Sequence, residues 1–505
     1  MSSQPLAHRL SSLDAAFLYL ETPEAPLHIG GVSVLDGDVT AASYARLLDA
    51  RLGEIPRYLQ RIGPPPHGLG HPLWEEDPAF DVHRHVLETR LDAPGNDAQL
   101  RSCAARLFEP CLDRSRPLWE LHVIRGLEGR RTALLTKIHH AMVDGVSGVE
   151  LMSVLFDRSP DAPVERGARP SRAQQTLRAE VAMLESLWET AAAAASGARA
   201  LVSGVAGLVG SWRTTASGAM KVTRALADAA AHPVARLPFN RTLTGRRRLG
   251  WLSLPLDQVR TLGQHRGGTV NDVALAVLAD GIGRLLGSCG EPAAGRFLRV
   301  LVPVNIRREA ERGQLGNRVS MVPVEIPFGG DPLARLGHAI ARTSAMKQAR
   351  IADLVGQAAG IGDLLPAWVM AKILPLTSSP AVLEWTASLR SAPFLTANMV
   401  CTNVPGPAMT LFGRGHRLVA HYPLVPLGFE TGLNCALLTY DNVLYVGLLS
   451  DAGAIDDLTP LTEHLRSAYN DLRSADAATP HLSRRRVSTA VAPKNRGRTG
   501  PLRKR

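Results

Sequence analysis

Apolar residues recur along this 505-residue chain in two rhythms, one suited to strands and one to helices. The clearest strand is Leu134-Leu135-Thr136-Lys137-Ile138, apolar enough to be covered on both faces. It runs directly into His139-His140-Ala141-Met142-Val143-Asp144-Gly145. Further strands are predicted at 28–35, 121–124, 249–254, 297–304 and 319–326, and from 397 into a tight turn at 404–407. Residues 432–448 read as a hairpin turning at Asp441-Asn442. Phe80-Asp81-Val82-His83-Arg84-His85-Val86 alternates like a strand, which would set His83 and His85 on one face; no third ligand is evident, so no metal is expected. Helical spacing covers 10–18, 41–52, 96–108, 147–156, 177–187, 256–266, 273–286, 337–350 and 455–472. Residues 56–72, broken by Pro64-Pro65-Pro66, read as loop.

A chain of this length exceeds one ordinary core. The expected units are 1–158, an Ala-rich helical crossover at 159–237, a second unit at 238–478, and a basic tail at 479–505. Mixed strands and helices in both halves give an α/β fold class. The net charge of +11 suggests nucleic acid, but nine Lys or Arg and no acid lie beyond His481, leaving about +2 for the body. No nucleic-acid module or interleaved aromatics accompany the tail, so no nucleic acid partner is expected. The tail reads as solvated, or as an anchor to anionic lipid, where each basic residue contributes about 1 kcal/mol. In the crossover, the longest uncharged run is the thirteen residues from Ala200 to Trp212. Spanning a bilayer takes roughly 20, so an Ala-rich helix running between the two domains, or a lid on a lipid surface, is expected instead. The cysteines at 103, 111, 289, 401 and 435 show no paired spacing and the N-terminus no leader pattern, which together point to the cytoplasm.

The chemistry centres on the histidine pair. Histidine exchanges protons near neutrality, and a strand end is a good mount for a general base. His140 is the candidate, with Asp144 four residues on and Gly145 permitting a turn. A metal reading of His139, His140 and Asp144 lacks ligands at helical spacing. Asn271-Asp272, opening the helix that follows, read first as an N-cap pair. Trp119 reads as core.

His139 to Gly145 has the form HHxxxDG. Leu13-Asp14-Ala15-Ala16-Phe17 with His28-Ile29-Gly30-Gly31, the Pro117-Leu118-Trp119 triplet, Asn271-Asp272, and Asn403-Val404-Pro405-Gly406-Pro407 surround it. Together these resemble the bacterial wax ester synthase/diacylglycerol acyltransferase family, in its actinobacterial style, from about residue 10 to about 475. The resemblance implies two chloramphenicol-acetyltransferase-like domains with the active-site tunnel between them. It implies transfer of a long-chain acyl group from acyl-coenzyme A, a substrate and not a cofactor, to diacylglycerol and also to fatty alcohol. His140 is then the base, His139 its support, Asp144 structural and Gly145 the turn. Asn271, Asp272, Pro117, Leu118 and Trp119 fall to substrate or oxyanion binding. Arg246-Arg247-Arg248 are surface charge or a partner for coenzyme A phosphates. The partners implied are acyl-coenzyme A, a lipid alcohol, and a peripheral contact with a membrane or lipid droplet. Two other readings stand beside this one: a carrier-protein-dependent condensation-type transferase, and a catalytically silent lipid-surface protein.

Overall fold

The computed structural model describes residues 9–65, 71–142, 152–163, 234–305, 319–348, 397–428 and 430–479, with the single positions 371 and 375. Most of the Ala-rich crossover, nearly all of the basic tail, most of the apolar stretch 364–374 and the predicted helix at 177–187 lie outside these residues, whereas of the predicted helix at 147–156 residues 152–155 are described and are helical.

In the first half, helix α1 (Ser12–Leu20) is capped by Ser11, whose hydroxyl accepts from the Asp14 N–H at 3.1 Å. Strand β1 (His28–Leu35) and helix α2 (Ala41–Arg51) follow. Strand β2 (Gln60–Gly63) forms within the stretch expected to be loop and pairs antiparallel with β3 (Leu73–Glu76) just beyond it. Then come β4 (Val86–Arg90), helix α3 (Asp97–Phe108), β5 (Trp119–Leu127) and β6 (Arg131–His139). Strand β4 starts later than the alternation suggests. Asp81 accepts from the His83 N–H at 3.0 Å and turns Val82–Arg84 into a single 3-10 turn. His83 is therefore exposed, while His85 is buried with Nδ1 against the Trp119 carbonyl at 2.8 Å. The two share no sheet face.

The second half holds β7 (Arg247–Pro255), α4 (Leu256–His265), α5 (Val270–Ser288), β8 (Phe297–Asn305), β9 (Val319–Pro327) and α6 (Pro332–Gln348). After these come β10 (Met399–Pro405), β11 (Phe412–Gly413), β12 (His416–Leu424), β13 (Leu433–Tyr440), β14 (Val443–Asp451) and α7 (Thr459–Ala478). The β13–β14 turn falls on Asp441 and Asn442, both with positive φ (45° and 61°), as their turn chemistry requires.

Two six-stranded sheets result, ordered β11-β12-β1-β6-β5-β4 and β7-β14-β13-β10-β8-β9. Strands β11 and β12 lie in sequence between strands of the second sheet, yet they extend the first, with β12 antiparallel to β1. The exchange ties the two halves together. Tyr440 and Tyr445 of the second sheet donate their hydroxyls to the Leu418 and Val419 carbonyls of β12, at 2.9 and 3.0 Å. Trp251 of β7 stacks on Tyr422 of β12 at 4.8 Å and donates to Asp97 of α3 at 3.2 Å. One core lies between the second sheet and α4, α5, α6 and α7; two others include residues from both halves. Helix α5 is buried nearly all round, as its apolar residues require. At Gly281 a Cβ would come 2.5 Å from the Leu465 side chain, so α5 and α7 can approach this closely only over a glycine.

Candidate active site

Strand β6 is buried from Thr132 to His139, between β1 and β5. Its apolar run is what a central strand needs, and it sets the histidine pair at the strand's end. Residues His140–Met142 then turn in a single 3-10 turn. Asp144 and Gly145 lie outside the described residues.

His139 is fully buried. Its Nδ1 accepts from the Ala141 N–H at 3.1 Å, which leaves Nε2 as the ring nitrogen that carries a proton. That nitrogen lies 3.4 Å from Glu21 Oε1, an electrostatic contact and not an aligned hydrogen bond. Glu21 follows directly on α1. Its Oε1 accepts from the Leu27 N–H at 3.0 Å and its Oε2 from Arg114 Nη2 at 3.0 Å. Burial by itself would raise the Glu21 pKa; His139, the Leu27 N–H and Arg114 outweigh it and hold the carboxyl at about 2. Glu21 is thus a fixed anion beside the first histidine.

His140 is held differently. Its backbone N–H donates to the Leu27 carbonyl at 2.8 Å, and its ring stacks on Phe17 of α1 at 4.0 Å and 18°. The residue as a whole is half-buried, but Nδ1 has no contact with solvent and no well-formed hydrogen bond among the described residues. Desolvation pushes the ring pKa down to about 4; its own backbone opposes the shift and His139 adds to it. At neutral pH His140 is an uncharged imidazole with a free lone pair. The backbone of Leu27 therefore serves both histidines, its N–H on the carboxylate beside His139 and its carbonyl on the His140 backbone.

Of the Pro117-Leu118-Trp119 triplet, the Leu118 carbonyl accepts from the His139 N–H at 2.9 Å. All three residues are buried, and Trp119 donates Nε1–H to the Tyr58 carbonyl at 2.8 Å while stacking on His85. They brace the histidine strand from the side. In the second half, the N-cap of α5 is Thr269 and not the Asn271-Asp272 pair. Thr269 and Asp272 form a capping box, and Asp272 Oδ1 also accepts from Thr343 at 2.6 Å. Asp272 is thereby committed to structure. Asn271, in the first turn, keeps a buried Oδ1 with no partner among the described residues. Arg247 and Arg248 are not free for phosphate: Arg247 is buried against Asp451, and Arg248 pairs with Asp456 at 2.7 Å. Glu21, Arg114, Phe17 and Leu27 are the site residues that the sequence reading missed.

Residues 10–274 match the catalytic domain of the wax ester synthase/diacylglycerol acyltransferase family, and residues 315–473 match that family's C-terminal domain. The chain belongs to this family. A probable diacylglycerol O-acyltransferase of Mycobacterium tuberculosis is 30% identical over 484 residues, which is 91% of this chain and 95% of that one. A putative diacylglycerol O-acyltransferase of the same organism is 30% identical over 490 residues, 92% of this chain and 90% of the other. Among solved structures, a wax ester synthase/diacylglycerol acyltransferase of Marinobacter aquaeolei superposes with a TM-score of 0.63 at 23% identity, covering 93% of this chain and all of that one. The first condensation domain of the calcium-dependent antibiotic synthetase gives 0.54 at 16% identity, covering 94% and 97%. The family's α/β architecture of two halves is therefore the architecture of this chain. Among the described residues there is no group of three or more His, Cys, Asp and Glu that could hold a metal, and no helix long and apolar enough to cross a membrane.

Proposed function

We propose that this chain is an acyl-coenzyme A:diacylglycerol O-acyltransferase that forms triacylglycerol, and that it also esterifies fatty alcohols to wax esters. The observation that carries the reading is the neutral, desolvated His140 ring at the end of β6 in a member of this family. An alcohol is a weak nucleophile at neutral pH, so a base must take its proton as it attacks. Nδ1 is sealed, so Nε2 is the nitrogen left to do this. The acceptor oxygen adds to the thioester carbonyl while its proton passes to Nε2. The tetrahedral intermediate then collapses, the C–S bond breaks, and the imidazolium returns the proton to the departing thiolate. No acyl-enzyme is needed when both substrates meet in one site, where proximity supplies much of the rate.

The remaining roles belong to the same proposal. His139 and Glu21 orient the strand end, Asp144 holds the loop beyond it, and Gly145 allows its turn. Asn271 donates its side-chain amide to the oxyanion, where one donor is worth about 3 kcal/mol. Acyl-coenzyme A is the donor substrate and no cofactor is required. The basic tail brings the enzyme to the inner face of the membrane or to lipid droplets, where its acceptors reside. The condensation-domain likeness speaks to fold alone at 16% identity. The assay is labelled palmitoyl-coenzyme A offered to diacylglycerol and to hexadecanol. Labelled triacylglycerol with a smaller amount of wax ester is expected; label in neither product across several chain lengths removes the lipid-acyltransferase reading.

A further inference from the structure

Arg247 opens β7 in the second sheet, yet its guanidinium is buried, and its two ends hold different halves of the molecule. Nη1 donates to Asp451 at the end of β14, at 2.9 Å. Nη2 donates to the carbonyl of Glu24 at 2.6 Å, in the loop that joins α1 to β1. Asp451 is itself fully buried and accepts from the Thr244, Gly245 and Gly453 backbones as well. It cannot move without breaking several bonds, so it is a firm base for the arginine. The loop at the other end begins at Glu21 and ends at Leu27. Those two residues contact His139 and the His140 backbone.

We propose that Arg247 is a positioning residue for the histidine pair. The second half, through Asp451 and Arg247, fixes the Glu21–Leu27 loop, and the loop in turn sets the Glu21 carboxylate and the Leu27 backbone against His139 and His140. The fork geometry of arginine is essential, because one planar group must reach two acceptors on different elements at once. A lysine could keep the ion pair with Asp451 or reach the Glu24 carbonyl, but not hold both. An arginine that served only to pair a buried aspartate would be replaced adequately by lysine. This inference rests on the reading of His140 as the base.

The test is a double-mutant cycle on kcat and KM with full-length protein. Arg247→Lys is expected to fold and to keep its KM for palmitoyl-coenzyme A while losing about tenfold in kcat. Glu21→Gln is expected to lose a similar factor by the same route. The double variant should then fall close to the worse single variant, well short of the product, because both act on one loop. Asp451→Asn, whose remaining oxygen can still accept from the Gly453 N–H and the Thr244 hydroxyl, is the second probe and should reproduce the kcat loss. Wild-type kcat in both Arg247→Lys and Asp451→Asn, or losses for Arg247 and Glu21 that simply multiply, would overturn the proposal. His140→Ala run alongside separates the two claims. If that variant keeps full turnover, the base assignment fails, while the cycle still reports whether Arg247 and Glu21 are coupled.

Discussion

At neutral pH the His140 ring is kept unprotonated by desolvation, the state a general base must occupy before the reaction begins. Its pKa of about 4 lies below the ordinary histidine value, so the competent form persists as the pH falls and is lost only as the pH passes through that value. The acid limb of kcat/KM is therefore expected near pH 4, measured with a soluble short-chain alcohol so that lipid dispersion does not change with pH. A limb at the ordinary histidine value near 6.5 would mean that the ring is hydrated in solution. The pair itself was readable from sequence, because it follows an unmistakable buried strand. Glu21 and Arg114 were not. Glu21 is one acid at a helix end, Arg114 one arginine in a charged loop, and they meet across 93 residues. Nothing local in either stretch marks that meeting.

Elements with strong periodicity came out as expected: β1, β6, α3, α5 and the β13–β14 hairpin all follow from apolar spacing and turn chemistry. Deviations arose where one polar side chain redirected the backbone. Asp81 took an N–H that a strand would have paired, and His83 and His85 parted company. At α5 the cap moved back to Thr269, since its hydroxyl and the Asp272 carboxylate satisfy each other's backbone donors. This box fixes the first turn of the helix that carries Asn271. Thr269→Ala is expected to lose about 1 kcal/mol of stability in chemical denaturation, and with it the fixed approach of Asn271. An unchanged denaturation midpoint would show that Thr343 and the buried face of α5 hold Asp272 and the helix start unaided.

For the whole molecule, mixed strands and helices gave the α/β class, but not the return of β11 and β12 to the first sheet. That return depends on which edge of β1 is open, and no local pattern encodes it. Charge is equally uneven at this scale. Nine basic residues beyond His481 give the tail most of the net charge, and basic residues near an anionic surface contribute about 1 kcal/mol each. Deleting residues 481–505 is expected to weaken co-sedimentation with phosphatidylglycerol vesicles, more so at low salt, and to leave turnover of a soluble alcohol intact. Equal sedimentation of the two forms would assign surface binding to another part of the chain.

The central claim is that His140 takes the proton of the attacking alcohol. Its most direct test is the turnover of His140→Ala with palmitoyl-coenzyme A and hexadecanol, in a variant shown by circular dichroism to be folded. Loss of a general base contributes about 100-fold to 10,000-fold. The account predicts a fall in kcat of at least that order with acyl-coenzyme A binding retained, and turnover close to wild type would contradict it.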